Sequence, residues 1–400
     1  MNETETQTRQ LHDRERTAID RPSREGVGRR KKAITVAAVL IAGWIFIMGM
    51  VVSYSEALAN PTVNNVPIAV AGNADAIVGL LQNDTLEVTV VADAAAAQEQ
   101  VLDRDAEAAL VIPGAEGGEV TTYVATGASR MLALAAGALG DQVAEQLGTT
   151  NSVVDLAPPS ENNPNGTLEF YLVIFLTLGA SFGATIIGRV LGPIRTAAEF
   201  LTRAGVLIVL STALAAGASF YATQLFDGIT GQHGWAYFGA LAFYCLAVSG
   251  AVTGIASLGG TIVGGVVSAL FVLLGNSASG GPFGLHMLND FFQVVRYIVP
   301  QTWGLELLRD IEYFDANGIG GPLVALSIWA VIGVVAALLG MLRHTLANRP
   351  GNAHPAKHVS AVAISDDAPD HGARRTPTHE AITAVGPGEH RELERTPAAV

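Results

Sequence analysis

Six apolar segments, most of them long enough to cross a lipid bilayer, constrain this chain more than any other feature of its sequence. They lie at residues 33–54, 168–187, 204–226, 235–258, 260–274 and 320–342. A bilayer core needs about 20 consecutive apolar residues in a helix. The fifth segment is short and rich in glycine, so it and the fourth are expected to form either a tight hairpin or one long broken helix. We therefore predict a polytopic α-helical membrane protein with about six transmembrane helices.

Charged residues between these segments alternate in sign along the chain. Residues 54–167 hold fifteen Asp or Glu against two Arg, and residues 276–319 hold five acids against two Arg. The other connections and ends are basic, through Arg29, Arg30, Lys31, Lys32, Arg189, Arg195, Arg203, Arg343 and Arg349. Because Lys and Arg resist translocation, the alternation predicts a multi-pass protein of the cell membrane with both termini in the cytoplasm and with 1–32 as a basic cytoplasmic tail.

The first apolar segment has two interpretations. Ala57-Leu58-Ala59 has the form of a signal-peptidase site. However, the 32 residues before the apolar stretch, and the stretch itself, are longer than a cleaved signal peptide allows. We favour an uncleaved signal anchor that forms the first transmembrane helix, 33–54.

The acidic region 55–167 has the patterning of a folded α/β domain on the far side of the membrane. Strands are predicted at 67–71, 86–91, 108–113 and 120–125, and helices at 75–82, 94–103 and 128–148. Asp93 is placed as the N-cap of the second of these helices. Residues 151–166, rich in Asn and Pro, are predicted to be a linker. Asp103, Asp105 and Glu107 alternate as in a calcium loop but lack its Gly and closing Glu, so we interpret them as acidic surface.

Several classes of chemistry are excluded or disfavoured. The three lysines of the chain are Lys31, Lys32 and Lys357, and none follows a glycine, so no P-loop can form. A single cysteine, Cys245, allows neither a disulfide framework nor a cysteine metal site within one chain. His354 and His358 lie in a tail, 344–400, that is predicted to be disordered and cytoplasmic. We expect no enzyme, no cofactor, no metal and no nucleic-acid partner. Glu169 is the one Asp, Glu, Lys, Arg or His in the six segments, which argues against a proton-driven pump.

Small residues at helical spacing mark close helix packing. Glycine pairs four residues apart occur in or beside the segments: Gly179 and Gly183, Gly188 and Gly192, Gly250 and Gly254, Gly260 and Gly264. Such pairs let helix backbones approach each other within a bilayer. Packing inside one helix bundle and a homodimer face are both consistent with the spacing.

The last acidic connection is also predicted to be structured. Apolar residues recur at helical spacing over 285–298, which indicates an amphipathic helix at the outer interface. Pro300 is expected to end it. A second short helix is expected at 305–314. This segment, 285–314, is predicted to be interfacial or re-entrant.

The order of these features resembles that of the ABC-2 type transporter permeases. The resemblance rests on one long loop after the first helix, five further spans and a helical pair before the last. It is carried by the glycine-rich string 274–282, by 299–302 with 307–314, and by the strand 108–113. Within the superfamily the chain is most similar to members without an attached ATPase, the phage-infection-type and nitrosoguanidine-resistance membrane proteins.

The resemblance implies roles for two sets of residues. A coupling segment that meets an ATPase would contain Arg189, Arg195, Glu199 and Arg203; the alternative is that its arginines only anchor the helices to the cytoplasmic side. An outer gate would contain Asn276, Gly280, Gly281, Pro300 and Arg309. The function implied is a permease subunit that exports a hydrophobic or amphipathic substrate. The partners implied are a separate ATPase, which hydrolyses ATP, and a second copy of the chain in a homodimer. The alternative is an ATPase-independent envelope protein whose external domain binds a ligand, a phage or a partner protein.

Overall fold

The structure, a computed structural model, describes residues 24–347 except 59, 60, 62, 75, 76, 82–84, 115, 230 and 231. Most of the predicted basic tail and nearly all of the predicted disordered tail lie outside the described residues. The helices are α1 (Arg24–Leu58), α2 (Val78–Leu81), α3 (Ala94–Leu102), α4 (Arg130–Leu147), α5 (Leu168–Leu191), α6 (Ala197–Phe220), α7 (Gly234–Gly259), α8 (Thr261–Leu270), α9 (Asp290–Ile298), α10 (Pro300–Tyr313) and α11 (Gly320–Ala347). The strands are β1 (Val66–Gly72), β2 (Leu86–Val90), β3 (Ala108–Ile112), β4 (Val120–Val124) and β5 (Asn151–Asp155).

Six helical stretches among the described residues are long and apolar enough to cross a membrane. They are Arg30–Ala57, Leu168–Leu191, Ala197–Leu225, Gly234–Gly259, Thr261–Phe283 and Gly320–Leu346. Each coincides with one of the apolar segments of the sequence, which supports a polytopic helical membrane protein. The buried core of the bundle is built chiefly on α5 and α7, with Tyr237 and Tyr244 among its largest completely buried side chains.

The fourth and fifth segments form a helical hairpin. Gly260 has a φ of 91°, a left-handed conformation that an L side chain rarely adopts, and it separates α7 from α8. Beyond Leu270 the chain continues through a π-helical turn (Phe271–Gly275) and a short helix (Asn276–Ala278). Asn276, predicted in the connection after this span, therefore lies inside a helical segment and is completely buried.

Helix α6 begins earlier than the hydropathy predicts. Thr196 is its N-cap and forms a capping box with Glu199, whose side chain accepts hydrogen bonds from the backbone N–H groups of Arg195 and Thr196. Glu199 and Arg203, which the sequence places in the connection after the second span, are therefore residues of α6. The capping signal, rather than the onset of apolar residues, sets where this helix begins.

The five strands form one sheet in the order β2-β1-β3-β4-β5, parallel except for the antiparallel pair β3–β4. Successive residues of β1 are buried on both faces. Ile68 and Val70 pack with α4 and the segment around α2, and Ala69 and Ala71 pack with α3. Helices thus cover both sides of the sheet, as an α/β domain requires. Asp93 caps α3 as predicted, its carboxylate accepting from the N–H of Ala96.

Two predictions in this domain are wrong in part. The proposed linker 151–166 begins with strand β5, which pairs in parallel with β4 and completes the sheet. The helix expected over 75–82 is reduced, among the described residues, to the single turn Val78–Leu81.

The segment after the fifth span folds as a chain of short helices. A 3-10 turn at Leu285–Met287 precedes α9, so the predicted amphipathic helix over 285–298 is broken. Pro300 does end α9, but it also occupies the first turn of α10, where its missing N–H costs nothing. Helix α10 is therefore five residues longer at its start than predicted.

Candidate functional site

The residues predicted as an outer gate lie in and beside α10. Gly280 and Gly281 have φ values of 77° and 48°, so the turn between them depends on glycine. The guanidinium of Arg309 is buried, and its Nη2 donates a 2.6 Å hydrogen bond to the carbonyl of Gly281. Arg309 and Gly281 are thus brought together. Pro300 and Asn276 take no part in this bond.

The start of α10 is fixed to the fifth span by its own side chains. Gln301 Nε2 donates to the carbonyl of Phe271 at 2.9 Å, and Thr302 Oγ1 donates to that of Ala278 at 3.2 Å. A Cβ atom on Gly275 would lie 2.1 Å from Gln301 Oε1, so glycine is required there for the amide to fit. Motion of α10 is therefore tied to the π-helical turn of the fifth span.

A cluster of four charges, three of them buried and one partly buried, joins α10 to the α/β domain. Arg104, in the loop between α3 and β3, pairs with Glu306 and places its Nε 3.1 Å from Oδ1 of Asp310. Arg309 Nη1 lies 3.4 Å from Glu306 Oε1. Arg104 also stacks over the ring of Phe314, 4.7 Å from its centroid. We call Arg104, Glu306, Arg309 and Asp310 the charge clamp.

The surroundings of the clamp raise the pKa values of Arg104 and Asp310. Burial opposes the charge of Arg104, but the attraction of Glu306, Glu107 and Asp310 outweighs it and raises the pKa of Arg104. Burial and the neighbouring Glu306 raise the pKa of Asp310 to about 7, against the lowering effect of Arg104 and Arg309. Arg104 of the domain and Arg309 of α10 therefore face two largely buried carboxyl groups, of which Asp310 is partly protonated near pH 7.

A second buried network lies at the start of α5. Glu169 is completely buried and accepts hydrogen bonds from Tyr313 Oη at 2.6 Å and from Asn163 Nδ2 at 3.1 Å. Asn163 Oδ1 in turn accepts from the N–H groups of Thr167 and Leu168, which caps the helix. Burial and the adjacent Glu169 raise the pKa of Tyr313, which keeps it a hydrogen-bond donor. Tyr313 therefore ties the end of α10 to the beginning of α5.

A cavity of 610 Å³ opens beside this network, at the start of α5 and the end of α6. One part of its wall is polar, with Asn162, Asn163 and Asn165. The other is apolar and aromatic, with Leu168, Leu172, Phe175, Tyr171, Tyr221 and Phe226. Tyr221 and Phe226 stack with their ring centroids 5.8 Å apart. We call it the amphipathic cavity. An arrangement of amides beside aromatic rings suits a ligand with a polar and an apolar part.

The opposite ends of α5 and α6 carry the predicted coupling residues. Arg189 and Arg195 are exposed, whereas Arg203 is 5% exposed and its Nη2 donates a 2.6 Å hydrogen bond to the carbonyl of Gly192. Arg203 thus fixes the turn between the two helices instead of facing outward. Arg189 and Arg203 also line a cavity of 780 Å³ at this end of the bundle, together with Arg343 and His344 of α11. We call it the basic cavity.

The glycine pairs pack helices of this chain against one another. Added Cβ atoms at Gly179 and Gly183 would meet Leu214 and Leu210 of α6 at 3.1 and 2.6 Å. On α7, an added Cβ at Gly254 would lie 2.0 Å from the carbonyl oxygen of Gly333 on α11. Added Cβ atoms at Gly333, Gly264 and Gly188 would likewise meet Gly250, Ala256 and Arg203. At Gly192 and Gly260, both with positive φ, an added Cβ atom would meet no atom within 4 Å. At least three helix pairs therefore depend on backbone-close approach.

Sequence reasoning did not find several of these residues. In the sequence, Arg104 is one of the two arginines between residues 54 and 167, among fifteen acids, and that scarcity is the available signal. Glu169 was noted as the one ionisable residue at the edge of a span, but Asn163 and Tyr313 carried no signal because their partners are distant in sequence. Over the residues that the structure describes, no group of three or more His, Cys, Asp or Glu is placed to hold a metal ion.

A comparison with known protein families shows what the chain is similar to. Residues 33–339 match the family described as ABC-2 family transporter protein. The matched region runs from the first span into the last and includes the charge clamp and the amphipathic cavity, whereas Arg343 and His344 of the basic cavity lie beyond it. Comparison with curated proteins returns no match.

Proposed function

Because this chain belongs to the ABC-2 transporter family, we propose that it is the permease subunit of an exporter for a hydrophobic or amphipathic substrate, with ATP hydrolysed by a separate protein. The α5–α6 helix pair carries the proposal. It has the amphipathic cavity at one end and the exposed turn with Arg189 and Arg195 at the other. With 24 residues, α5 separates the two ends by about 36 Å.

The packing of this pair supports transmission of movement along it. Gly179 and Gly183 bring α5 close to Leu214 and Leu210 of α6, so the two helices have little freedom to move separately. The turn between them is held by Arg203 and by the capping box of Glu199. A partner bound to Arg189 and Arg195 would therefore displace the amphipathic cavity by moving the pair as one body.

The orientation that this mechanism needs is part of the proposal. Both termini and the α5–α6 turn would be cytoplasmic, the α/β domain and α9–α10 extracytoplasmic, and the bilayer that of the bacterial cell. In that arrangement Asn276, Gly280, Gly281, Pro300 and Arg309 lie at the outer mouth, where the charge clamp lets the domain control α10. A pair of such subunits would complete the pathway.

Cysteine labelling tests the orientation sharply because the chain has one native cysteine, which is completely buried. In a Cys245→Ala background, Glu119→Cys and Ala198→Cys each introduce a thiol at an exposed position. A membrane-impermeant maleimide applied to intact cells should label the Glu119→Cys variant alone. After the cells are permeabilised, it should label both variants. Labelling of the second variant in intact cells would overturn the orientation.

Co-purification tests the partner. Under mild solubilisation from native membranes, the full chain should retain an ATPase, and Arg189→Gln with Arg195→Gln should lose it. The matched control is Lys32→Gln, which removes one exposed charge at the start of another span. Absence of any ATPase with the unaltered chain would contradict the proposal and favour the ATPase-independent envelope protein.

A further inference from the structure

The basic cavity combines one buried arginine and two exposed ones with a wall that offers them no counter-ion. It lies where α5, α7 and α11 end and where α6 and α8 begin. Arg189, Arg203, Arg343 and His344 line it, and none of the described residues along its wall is Asp or Glu. At 780 Å³ it lies in the size range of small-ligand sites.

Arg203 is the central observation. Its side chain is buried, its Nη2 is bonded to the carbonyl of Gly192, and its Nε has no hydrogen-bond partner. Among the described part of the chain, no carboxylate lies within 4.0 Å of its guanidinium. A guanidinium buried without a negative partner is costly, and it is the group best suited to bind a phosphate through paired N–H donors.

Two other features of the wall point to the same ligand. Thr253 is buried, and its Oγ1 also has no hydrogen-bond partner. The ten-residue helix α8 begins at Thr261 on the rim, and its N-cap, Gly260, has no side chain to satisfy the first N–H groups. Free backbone N–H groups at a helix N-terminus favour a bound anion. Arg189 and Arg343 stand exposed at the opening.

We propose that the basic cavity binds a phosphate group, with Arg203 and Thr253 at its floor and Arg189 and Arg343 at its mouth. A phospholipid headgroup and a soluble phosphate compound share this chemistry. The site is separate from the amphipathic cavity and does not depend on the proposed export function.

The test uses the full-length protein in nanodiscs and native mass spectrometry of the protein after release. Anionic phosphatidylglycerol discs are compared with phosphatidylcholine discs, and in a second arm phosphatidylcholine discs are titrated with ATP or inorganic phosphate. We expect retained phosphatidylglycerol, or saturable binding of the soluble phosphate, to fall at least tenfold in Arg203→Gln. Lys32→Gln, outside the cavity, should bind as the unaltered chain does.

Because Arg203 also holds Gly192, its variant could fail to fold, and Thr253→Val separates the two effects. Valine has nearly the same shape as threonine and removes a buried hydroxyl that has no hydrogen-bond partner. When no ligand is bound, the substitution should therefore leave the protein as stable as before or make it more stable. We expect Thr253→Val to melt at an unchanged or higher temperature in phosphatidylcholine discs and to bind the phosphate ligand several-fold more weakly. Equal binding by Thr253→Val and the unaltered chain, or no binding in either arm, would overturn the proposal.

Discussion

The Nε atom of Arg104, in the α/β domain, lies 3.1 Å from Oδ1 of Asp310 on α10, although the two residues are 206 positions apart in the sequence. With the second contact from Arg104 to Glu306, this pair makes the domain and the α9–α10 helices one mechanical unit. The two hydrophobic cores of the α/β domain also contact this region, since Met287 packs on one face of the sheet and Phe314 on the other. Movement of the domain must therefore move α10.

Replacing Arg104 by Met should destabilise the protein by about 3 kcal/mol, because it leaves the largely buried Glu306 and Asp310 with Arg309 as the remaining cation of the clamp. Thermal unfolding in detergent, followed by tryptophan fluorescence, measures the loss. The control is Arg130→Met, since Arg130 is exposed and donates to one carbonyl, that of Pro164. A change at Arg104 no larger than that of the control would show that the clamp contributes nothing to stability.

The pH dependence of stability should carry the signature of Asp310. Its pKa is raised to about 7 by burial and by Glu306, whereas an unfolded Asp titrates near 4. Between about pH 4 and pH 7 the folded state therefore holds a proton that the unfolded state has lost, and this group makes stability fall as pH rises. The charges that face Asp310 are Glu306 and Arg309 from α10 and Arg104 from the domain.

Asp310→Asn removes this titration, so the melting temperature of the variant relative to the unaltered chain should rise from pH 5 to pH 8. Asp105→Asn, at an exposed position of the same α3–β3 loop, should keep the slope of the unaltered chain. A parallel pair of curves for Asp310→Asn and the unaltered chain would show that Asp310 does not titrate in this range.

Much of this fold can be predicted from sequence patterns that are each about 20 residues long or shorter. The six spans follow from hydropathy, α3 from its cap at Asp93, and β3 from its apolar run, because each depends on local chemistry. Strand β5 was missed since its residues between Asn151 and Asp155 are mostly exposed and gain their structure by pairing with β4. The start of α6 does not follow from hydropathy, because its N-cap, Thr196, lies eight residues before the apolar segment that begins at residue 204.

The site was less predictable than the fold for a physical reason. Arg104, Glu306 and Asp310 are unremarkable in their own neighbourhoods, and burial together gives them their role. Arg203 looked like an anchoring charge because its sequence context says nothing about Gly192 or Thr253. In the sequence, Gly281 and Arg309 are grouped only by resemblance to a family. In the structure, the positive φ of Gly281 explains the glycine, and the hydrogen bond to its carbonyl explains the arginine.

The contact between α7 and α11 should be among the least tolerant of added volume. A Cβ atom at Gly254 would lie 2.0 Å from the carbonyl oxygen of Gly333, so Gly254→Ala must separate two backbones. We expect a loss of about 3 kcal/mol, at the upper end of overpacking effects. A Cβ atom at Gly239, on the same helix, would have no contact within 4 Å. Gly239→Ala should therefore be neutral or stabilising by up to about 1 kcal/mol. Equal melting temperatures for the two variants would contradict this contact.

Tyr313 and Glu169 provide the last test, because their 2.6 Å hydrogen bond joins the end of α10 to the start of α5 beside the amphipathic cavity. Tyr313→Phe keeps the ring but leaves the buried carboxylate with Asn163 as its remaining side-chain donor, which should cost about 2 kcal/mol. Tyr171→Phe, on a half-exposed ring of the same cavity, should cost little. A double-mutant cycle with Glu169→Gln should give a coupling of about 1 kcal/mol or more. If the losses caused by Tyr313→Phe and Glu169→Gln simply add, this hydrogen bond is not the link between α10 and the cavity. The α/β domain would then have to act on the α5–α6 pair by another route.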